Sequence, residues 1–360
     1  MRKQFSVLAV GELIADIMVQ ADDQGSLHPG AANALAALGA VGTGLPSATI
    51  ASDQGTLLHL VAWAGGSPAN VAVALARLGI SVGLAGRLSR AGLGPWLTSC
   101  LSANGVDLSL STPAAEAPTL AMVALDATGS ATYAFYGPET ADWQWRRDEL
   151  PDPEQLRVAA IHTGSLTTAL HPGAETLAAW VDDVHSTHRV LISYDPNVRL
   201  SCIGDIPAFA GEVRTWVARS HLVKVSAEDL ASLHPVDDAV SVATHWARSG
   251  PDLVVLTRGP QAPVALRPDG SSVVGPIPAG PVVDTVGAGD AFSAGLLAWL
   301  AEAGALHPGG PAALQAADIR RALDVACRVA SATCSRRGAH PPRRSEVADA
   351  PWPAPASKTS

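Results

Sequence analysis

Short apolar runs alternate with amphipathic stretches along most of this chain. Phe5-Ser-Val-Leu-Ala-Val10 reads as a buried strand that ends at Gly11. From about residue 156 the pattern becomes strand, loop, helix. Val158 to His162 is a strand, and a helix follows Pro172. Val190 to Tyr194 is a strand, and Asp195-Pro-Asn197 turns the chain. His221 to Val225 is a strand, and a helix opens at Ser226. Leu253 to Thr257 is a strand, and Arg258-Gly-Pro260 is a turn. This alternation predicts an α/β fold with a mainly parallel sheet and helices on both faces.

Two stretches break the rhythm. Thr119 to Tyr136 reads as a hairpin turning at Asp126-Ala-Thr-Gly129, and the Gly/Ala-rich segment from about Ala21 to Leu60 has no apolar period. The hairpin, with strands near Ile17 and Leu60, is expected to form a small β lid at the sheet edge. The expected organisation is an α/β core over 1–16, 65–110 and 140–337 and a lid over 17–64 and 111–139 that carries the insertion at about 21–60. Past about Arg336 the chain turns to Pro, Arg, Ser and Ala, so 338–360 is expected to be a flexible tail.

Composition narrows the partners. With 360 residues, 48% of them hydrophobic, the chain buries a large core, as two domains or as one large domain with an appendage. Its formal charge of −9 repels a nucleic-acid backbone, so an anionic substrate needs a local positive feature. Lysine occurs only at Lys3, Lys224 and Lys358. The four cysteines, Cys100, Cys202, Cys327 and Cys334, make no CxxC pair or zinc spacing, and reduced thiols in a cytoplasmic protein are expected. The first residues are too short an apolar run for a signal peptide, and Gln24 to Ser52, though uncharged, is only weakly apolar and interrupted by Pro29 and Pro46; no membrane association is expected.

Three segments carry chemistry. In Asp284-Thr-Val-Gly-Ala-Gly-Asp-Ala-Phe292, an apolar strand at Val282-Val283 is expected to run into a small-residue turn, and an Ala/Leu helix leaves it with Phe292, Leu296 and Leu300 on one face. Backbone N–H groups of Gly287-Ala-Gly289 at a helix N-terminus make an anion site without basic side chains. Asp290 then lies in the first turn, where it serves either as a base or as an ordinary acidic complement to the helix dipole. In Gly65-Gly-Ser-Pro-Ala-Asn70, Ser67 suits an N-cap, Pro68 the first helical position and Gly79 the end of the helix; Val71, Ala74, Leu75 and Leu78 form the buried stripe. Helix formation alone leaves Gly65-Gly66 and Asn70 unexplained; a polyol lying close to the backbone would use them. Asp16, past the first strand, is an acceptor-only carboxylate that suits two adjacent hydroxyls, or an ordinary loop Asp.

Gly65-Gly66 with Asn70, followed by Asp284-Thr-Val-Gly-Ala-Gly-Asp290, resembles the two signatures of the ribokinase/PfkB carbohydrate kinases. The resemblance covers about residues 5–337 apart from the insertion. It implies a ribokinase-like doubly wound α/β domain with a β lid, ATP and Mg²⁺ as reactants, and K⁺ activation near the anion-hole loop, with Asp284 and Thr285 at the cation. It implies that Asp290 is the base, that Gly287, Ala288, Gly289 and Asp290 line the anion hole, and that Asp16, Gly65, Gly66 and Asn70 hold the sugar. Asp195-Pro-Asn-Val-Arg199 resembles the family's Asp-Pro-Asn-x-Arg segment, which places Arg199 at the acceptor and Asn197 near the phosphates. Thr257-Arg-Gly259 resembles its nucleotide-side turn, and Lys224-Val-Ser-Ala-Glu-Asp229 its Lys-x-Asn-x-x-Glu. There Ser226 replaces Asn and Asp229 replaces Glu, so this pair serves the nucleotide or only caps a helix. Ala262 stands where the nucleotide loop has its last Gly, and Gly86 to Gly94 lacks the usual Gly-Asp-Asp.

Leu120 to Asp126, Tyr133-Ala-Phe-Tyr136 with Ala141-Asp142, and His162 to Gly173 resemble fructokinase-type members most. Fructose is therefore the expected acceptor, with 2-keto-3-deoxygluconate, ribose, another small polyol or a nucleoside as alternatives. A non-catalytic sugar- or nucleotide-binding relative is the alternative of another class, and it should lose Asp290 or the glycines first. A Rossmann dehydrogenase would need Gly-x-Gly-x-x-Gly after the first strand, where Val10-Gly-Glu-Leu-Ile-Ala15 stands instead. The resemblance also admits a homodimer paired through the lid hairpins.

Overall fold

A computed structural model of the chain describes residues 5–19, 60–125, 131–137 and 139–353. All but the last residue of the expected insertion, and the turn of the lid hairpin, lie outside the described residues. In chain order the first elements are β1 (Phe5–Val10), β2 (Ile14–Val19), β3 (Leu60–Gly65), α1 (Ser67–Arg77), β4 (Val82–Ala85), β5 (Arg87–Ser89), α2 (Gly94–Ala103), β6 (Thr112–Ala114), β7 (Leu120–Leu125) and β8 (Ala131–Tyr136). The α/β repeat follows: β9 (Val158–Gly164), α3 (Gly173–Ser186), β10 (Leu191–Asp195), α4 (Ile206–Ala218), β11 (Leu222–Ser226), α5 (Ala227–Leu233), α6 (Ala239–Ala247) and β12 (Leu253–Arg258). The last elements are β13 (Gln261–Leu266), β14 (Ser272–Val274), α7 (Ala288–Glu302), α8 (Gly310–Ala313) and α9 (Ala316–Cys334).

The large sheet has the order β14-β13-β12-β11-β10-β9-β1-β4. Its strands from β4 to β12 are parallel, and β13 and β14 add an antiparallel edge. Side chains alternate across each strand. Val7, Ala9, Ala160, Leu191, Leu222 and Val255 enter the core beneath α1, α7 and α9. Leu8, Val10, Ile161, Ile192, Val223 and Val254 enter the opposite core, beneath α3, α4 and α6. Burial on both faces explains why these strands read as continuous apolar runs. The second sheet has the order β3-β2-β7-β8, and β7 and β8 are the two arms of the expected hairpin.

The strand order reverses between β1 and β9: the chain runs outward from β1 to β4 on one side and from β9 to β12 on the other. In such sheets the crevice beyond the carboxyl ends of the strands at this switch is where ligands bind. Gly11-Glu12 follows β1 there, Gly164 ends β9, Asp195 ends β10 and Ser226 ends β11.

Two expectations are corrected. Val282-Val283 is exposed and makes no strand; the Val283 and Asp284 amides donate to the Cys334 carbonyl, at 2.8 and 3.1 Å, so the pair caps the end of α9 instead of joining a sheet. The tail expected from residue 338 is folded up to Pro353. Val347 and Ala350 are buried, the Trp299 indole donates to the Pro351 carbonyl at 3.1 Å, and the Arg344 guanidinium lies 3.3 Å from the centre of the Trp352 ring. The composition of this segment is that of a linker, but two small apolar side chains and one Trp are enough to seat it on α7 and α9.

Removing residues 344–360 should therefore lower the thermal midpoint by about 5 °C, because the lost burial is worth a few kcal/mol. An unchanged midpoint on truncation would show that this segment contributes nothing to stability.

Candidate active site

Helix α7 is preceded by Gly287 in the left-handed region, at φ 75°, so Ala288, Gly289 and Asp290 form its first turn. The helix has 15 residues and is buried from Asp290 to Leu300, so its dipole and its free N–H groups end in a protected site. Asp290 is buried, and both its oxygens accept hydrogen bonds from α1: Ser67 Oγ donates to Oδ1 at 2.6 Å and Asn70 Nδ2 donates to Oδ2 at 2.8 Å. Two helix N-termini far apart in sequence are thus joined through one carboxylate.

Ser67 differs from its expected place. The N-cap of α1 is Gly66, with no side-chain cap, and Ser67 is the first helical residue. Its hydroxyl is turned to Asp290, and its amide donates to Glu12 Oε1 at 3.3 Å. The two glycines before it have separate reasons. A Cβ on Gly65 would lie 2.1 Å from Asp16 Oδ2, so the missing side chain makes room for that carboxylate. Gly66 has φ 100°, and a Cβ there would lie 2.4 Å from the Glu12 carbonyl oxygen.

Asp16 projects from β2, partly buried, with Arg199 and Asp290 as its charged neighbours. Burial pushes its carboxyl up to about 6; Arg199 opposes the shift and Asp290 adds to it. The Arg199 guanidinium donates to the Val198 carbonyl at 3.1 Å, and Asn197 occupies the left-handed region at φ 39°. The loop that carries them is held by Asp229, whose Oδ1 accepts the Val198 amide at 2.8 Å while Oδ2 accepts the Ser226 amide and hydroxyl. Ser226 and Asp229 therefore do form a capping pair, and Asp229 also anchors the Asp195–Arg199 turn.

Lys224, the interior lysine, is buried on β11 and pairs with Asp195 Oδ2 at 3.0 Å. Its ammonium also packs under the α7 turn, 2.9 Å from where a Cβ on Gly289 would lie. Burial opposes its charge, and Asp195, Asp229 and Asp290 outweigh that, so its pKa is raised. Burial pushes Asp195 up to about 6 against the pull of Lys224. Asp195 Oδ1 is buried without a hydrogen-bond partner.

Thr257 lies in register with Ser226 at the carboxyl edge and donates to the Val225 carbonyl at 3.4 Å. Gly259 turns the chain at φ 56°, and the turn is closed by the Arg258 guanidinium, which donates to the Ala262 carbonyl at 2.8 and 2.5 Å. Asp284 Oδ1 accepts the Val286 amide at 3.0 Å and Oδ2 the Gly338 amide at 2.7 Å, which ties the loop containing Thr285 to the segment after α9. Among the described residues no three His, Cys, Asp or Glu side chains are grouped to hold a metal ion.

The structure thus brings Asp16 against Gly65 and within electrostatic reach of Arg199 and Asp290, joins Asn70 to Asp290, and sets Lys224 under the α7 turn with Asp195 and Asp229 as its charged neighbours. The sequence alone gives no role to Glu12, does not show Ser67 as a partner of Asp290, and marks Asp195 only as the start of the Asp-Pro-Asn-x-Arg segment. A glutamate directly after a buried strand was the one available signal for Glu12.

A family model described as pfkB family carbohydrate kinase matches residues 51–345. A fructokinase of Rhizobium leguminosarum bv. trifolii is 36% identical over 256 residues, 71% of this chain and 76% of the relative. The structure is similar to that of fructokinase with bound ATP from Xylella fastidiosa, with a TM-score of 0.78 and 25% identity over 95% of this chain and 97% of that one. It is also similar in fold to a fructokinase double mutant from Vibrio cholerae O395 in fructose, ADP and potassium ion bound form, with a TM-score of 0.72 and 22% identity over 94% and 95% of the two chains.

Glu12 gives this site a pH signature. Its carboxyl is pushed up to about 7 by burial, against hydrogen bonds from Thr167 and Ser165. The folded state therefore holds this proton more tightly than the unfolded chain, and the associated stability, present below pH 4.5, is lost as pH rises through 7. The shift corresponds to on the order of 3 kcal/mol. The denaturant midpoint should fall between pH 5.5 and pH 8, and Glu12→Gln should flatten that fall; an equally steep fall in the variant would contradict the assignment.

Proposed function

The chain belongs to the pfkB family of carbohydrate kinases and is an ATP-dependent sugar kinase, and from that premise we propose that it phosphorylates fructose with Asp290 as the base. The observation that carries the reading is the carboxylate of Asp290, buried in the first turn of α7 and held at both oxygens from α1.

In this reading the sugar lies against Gly65 and Gly66, with Asp16 accepting hydrogen bonds from its hydroxyls and Asn70 and Arg199 at its rim. The reacting hydroxyl displaces one of the donors now on Asp290. As its oxygen bonds to the γ-phosphorus and the bond to the β-phosphate oxygen breaks, its proton passes to Asp290 and ADP leaves. Charge on the transferring group is met by the N–H groups of Gly287, Gly289 and Asp290, the Ala288 amide being already bonded to the Thr285 carbonyl at 3.1 Å. Lys224 beneath Gly289 adds a buried positive charge. Asn197, Ser226, Asp229, Thr257 and Gly259 lie on the nucleotide side, where Asp229 acts by holding the 195–199 turn.

Mg²⁺ is part of the proposal. This cation is usually bound through one or two carboxylates with substrate phosphates and water, not in an all-protein cage, and the unpartnered Asp195 Oδ1 is a suitable acidic oxygen. When bound it neutralises the polyphosphate. K⁺ activation is proposed at the loop of Asp284 and Thr285, which the Gly338 contact joins to the segment after α9.

The four-stranded sheet is the proposed lid, and the outer edges of β3 and β8, which no other described strand pairs, would suit pairing in a homodimer. No helix among the described residues is long and apolar enough to cross a membrane. We place the enzyme in the cytoplasm, acting on a small sugar and ATP and not on nucleic acid.

Asp290→Asn is nearly isosteric and should keep ATP affinity while lowering turnover by at least about 10²-fold. Near-normal turnover in the folded variant, measured by coupled ADP release, would remove the base assignment. The carboxyl of Asp16, raised to about 6, must be ionised to accept from two hydroxyls. Sugar kcat/KM should therefore rise with pH through about 6 and level off above 7. Asp16→Asn should lose that rise and raise the KM for sugar about tenfold with little change for ATP; a matching change in the KM for ATP would place Asp16 elsewhere.

A further inference from the structure

The first amide of α1 belongs to Ser67, and the helix supplies it no cap of its own because the N-cap is Gly66. Glu12 takes that role from a different element. It follows β1, is 1% exposed, and accepts the Ser67 amide at Oε1, placing a carboxylate at the positive end of the helix. The Thr167 hydroxyl donates to its Oε2. The backbones are packed as closely as the side chains. A Cβ on Gly66 would collide with the Glu12 carbonyl, and one on Gly11 would lie 2.6 Å from Pro68 Cγ and 2.8 Å from Thr167 Oγ1.

The consequence lies one residue away from the cap. A serine at the start of a helix ordinarily spends its hydroxyl on backbone amides of the first turn. Here Ser67 stands one place past the N-cap, Glu12 holds its backbone through the amide, and its hydroxyl donates to Asp290 Oδ1 at 2.6 Å. Around Glu12 stand Ser165 and Thr167 from the turn after β9, the Ser67 amide from α1, and Asp142 from the turn after β8 as the one charged neighbour. Among the described residues no cation pairs with this carboxylate, and its hydrogen bonds hold it.

We propose that Glu12 is a positioning residue for phosphoryl transfer: held by Thr167, it caps the Ser67 amide and so fixes the Ser67 hydroxyl on Asp290. Glu12 does not touch the sugar or ATP; it acts through Ser67. The inference rests on the reading of Asp290 as the base.

The test is a double-variant cycle on the whole protein, with kcat and both KM values measured at pH 7.5. Glu12→Ala and Ser67→Ala should each lower kcat about tenfold and leave the KM for ATP within about twofold. The double variant should be no worse than the poorer single one, since both changes release the same contact. Glu12→Gln keeps an acceptor for the Ser67 amide and should recover most of the kcat lost in Glu12→Ala. Where Glu12→Ala does not fold, Thr167→Val, which removes the hydroxyl that holds Glu12, takes its place in the cycle with Ser67→Ala. Losses that multiply in the double variant, an unchanged kcat in Glu12→Ala, or a Gln variant as poor as the Ala one would each overturn the proposal. Asp290→Asn, run alongside, separates the two failures. Normal turnover there removes the base itself, whereas a large loss there with independent effects at Glu12 and Ser67 removes only the positioning role.

Discussion

The site depends on one buried carboxylate that is shared between two helix N-termini. Asp290 is fixed by the geometry of α7 on one side and by Ser67 and Asn70 of α1 on the other. A buried charge is costly unless it is hydrogen-bonded, and here both oxygens are satisfied and the α7 dipole favours the negative charge. That requirement reaches back into the fold. α1 must start where its first turn faces α7, which requires Gly66 at positive φ against Glu12, and the β1–β2 junction must lie flat against α1. Those contacts meet at the strand-order reversal of the large sheet, so the topology brings the segments together before any side chain is chosen.

The second constraint is electrostatic. The protein is acidic overall, yet the proposed reaction handles a polyphosphate. Backbone amides at the α7 turn and one buried lysine supply the local positive potential. Lys224 remains charged because Asp195, Asp229 and Asp290 surround it. Burial raises the carboxyls of Asp195 and Asp16 to about 6, so both are mostly ionised at neutral pH. In a desolvated site each of these interactions is stronger than it would be in water.

Much of this was legible from sequence because it is local. Each β strand of the repeat read as a continuous apolar run since both faces are covered, and the α7 turn read as an anion site since glycine, helix start and Asp290 are adjacent. The 226–229 pair was left open between capping and ligand roles, and the structure shows the cap. What was not legible depends on contacts across the chain. By composition Ser67 suits the N-cap, and nothing nearby in sequence shows that Gly66 takes that place while Glu12, 55 residues earlier, holds the Ser67 amide. Val282-Val283 had the composition of a strand but no edge to join. Residues 338–353 had the composition of a tail, and only the surface of α7 and α9 makes them structured.

The most direct test of the kinase reading is the product of the purified protein with ATP, Mg²⁺ and a panel of sugars, followed by phosphorus NMR. One equivalent of ADP and one of fructose phosphate are expected for each ATP consumed, with fructose turned over faster than ribose, 2-keto-3-deoxygluconate or nucleosides. Turnover of ATP with no sugar phosphate formed, or a clear preference for one of the other acceptors, would contradict it.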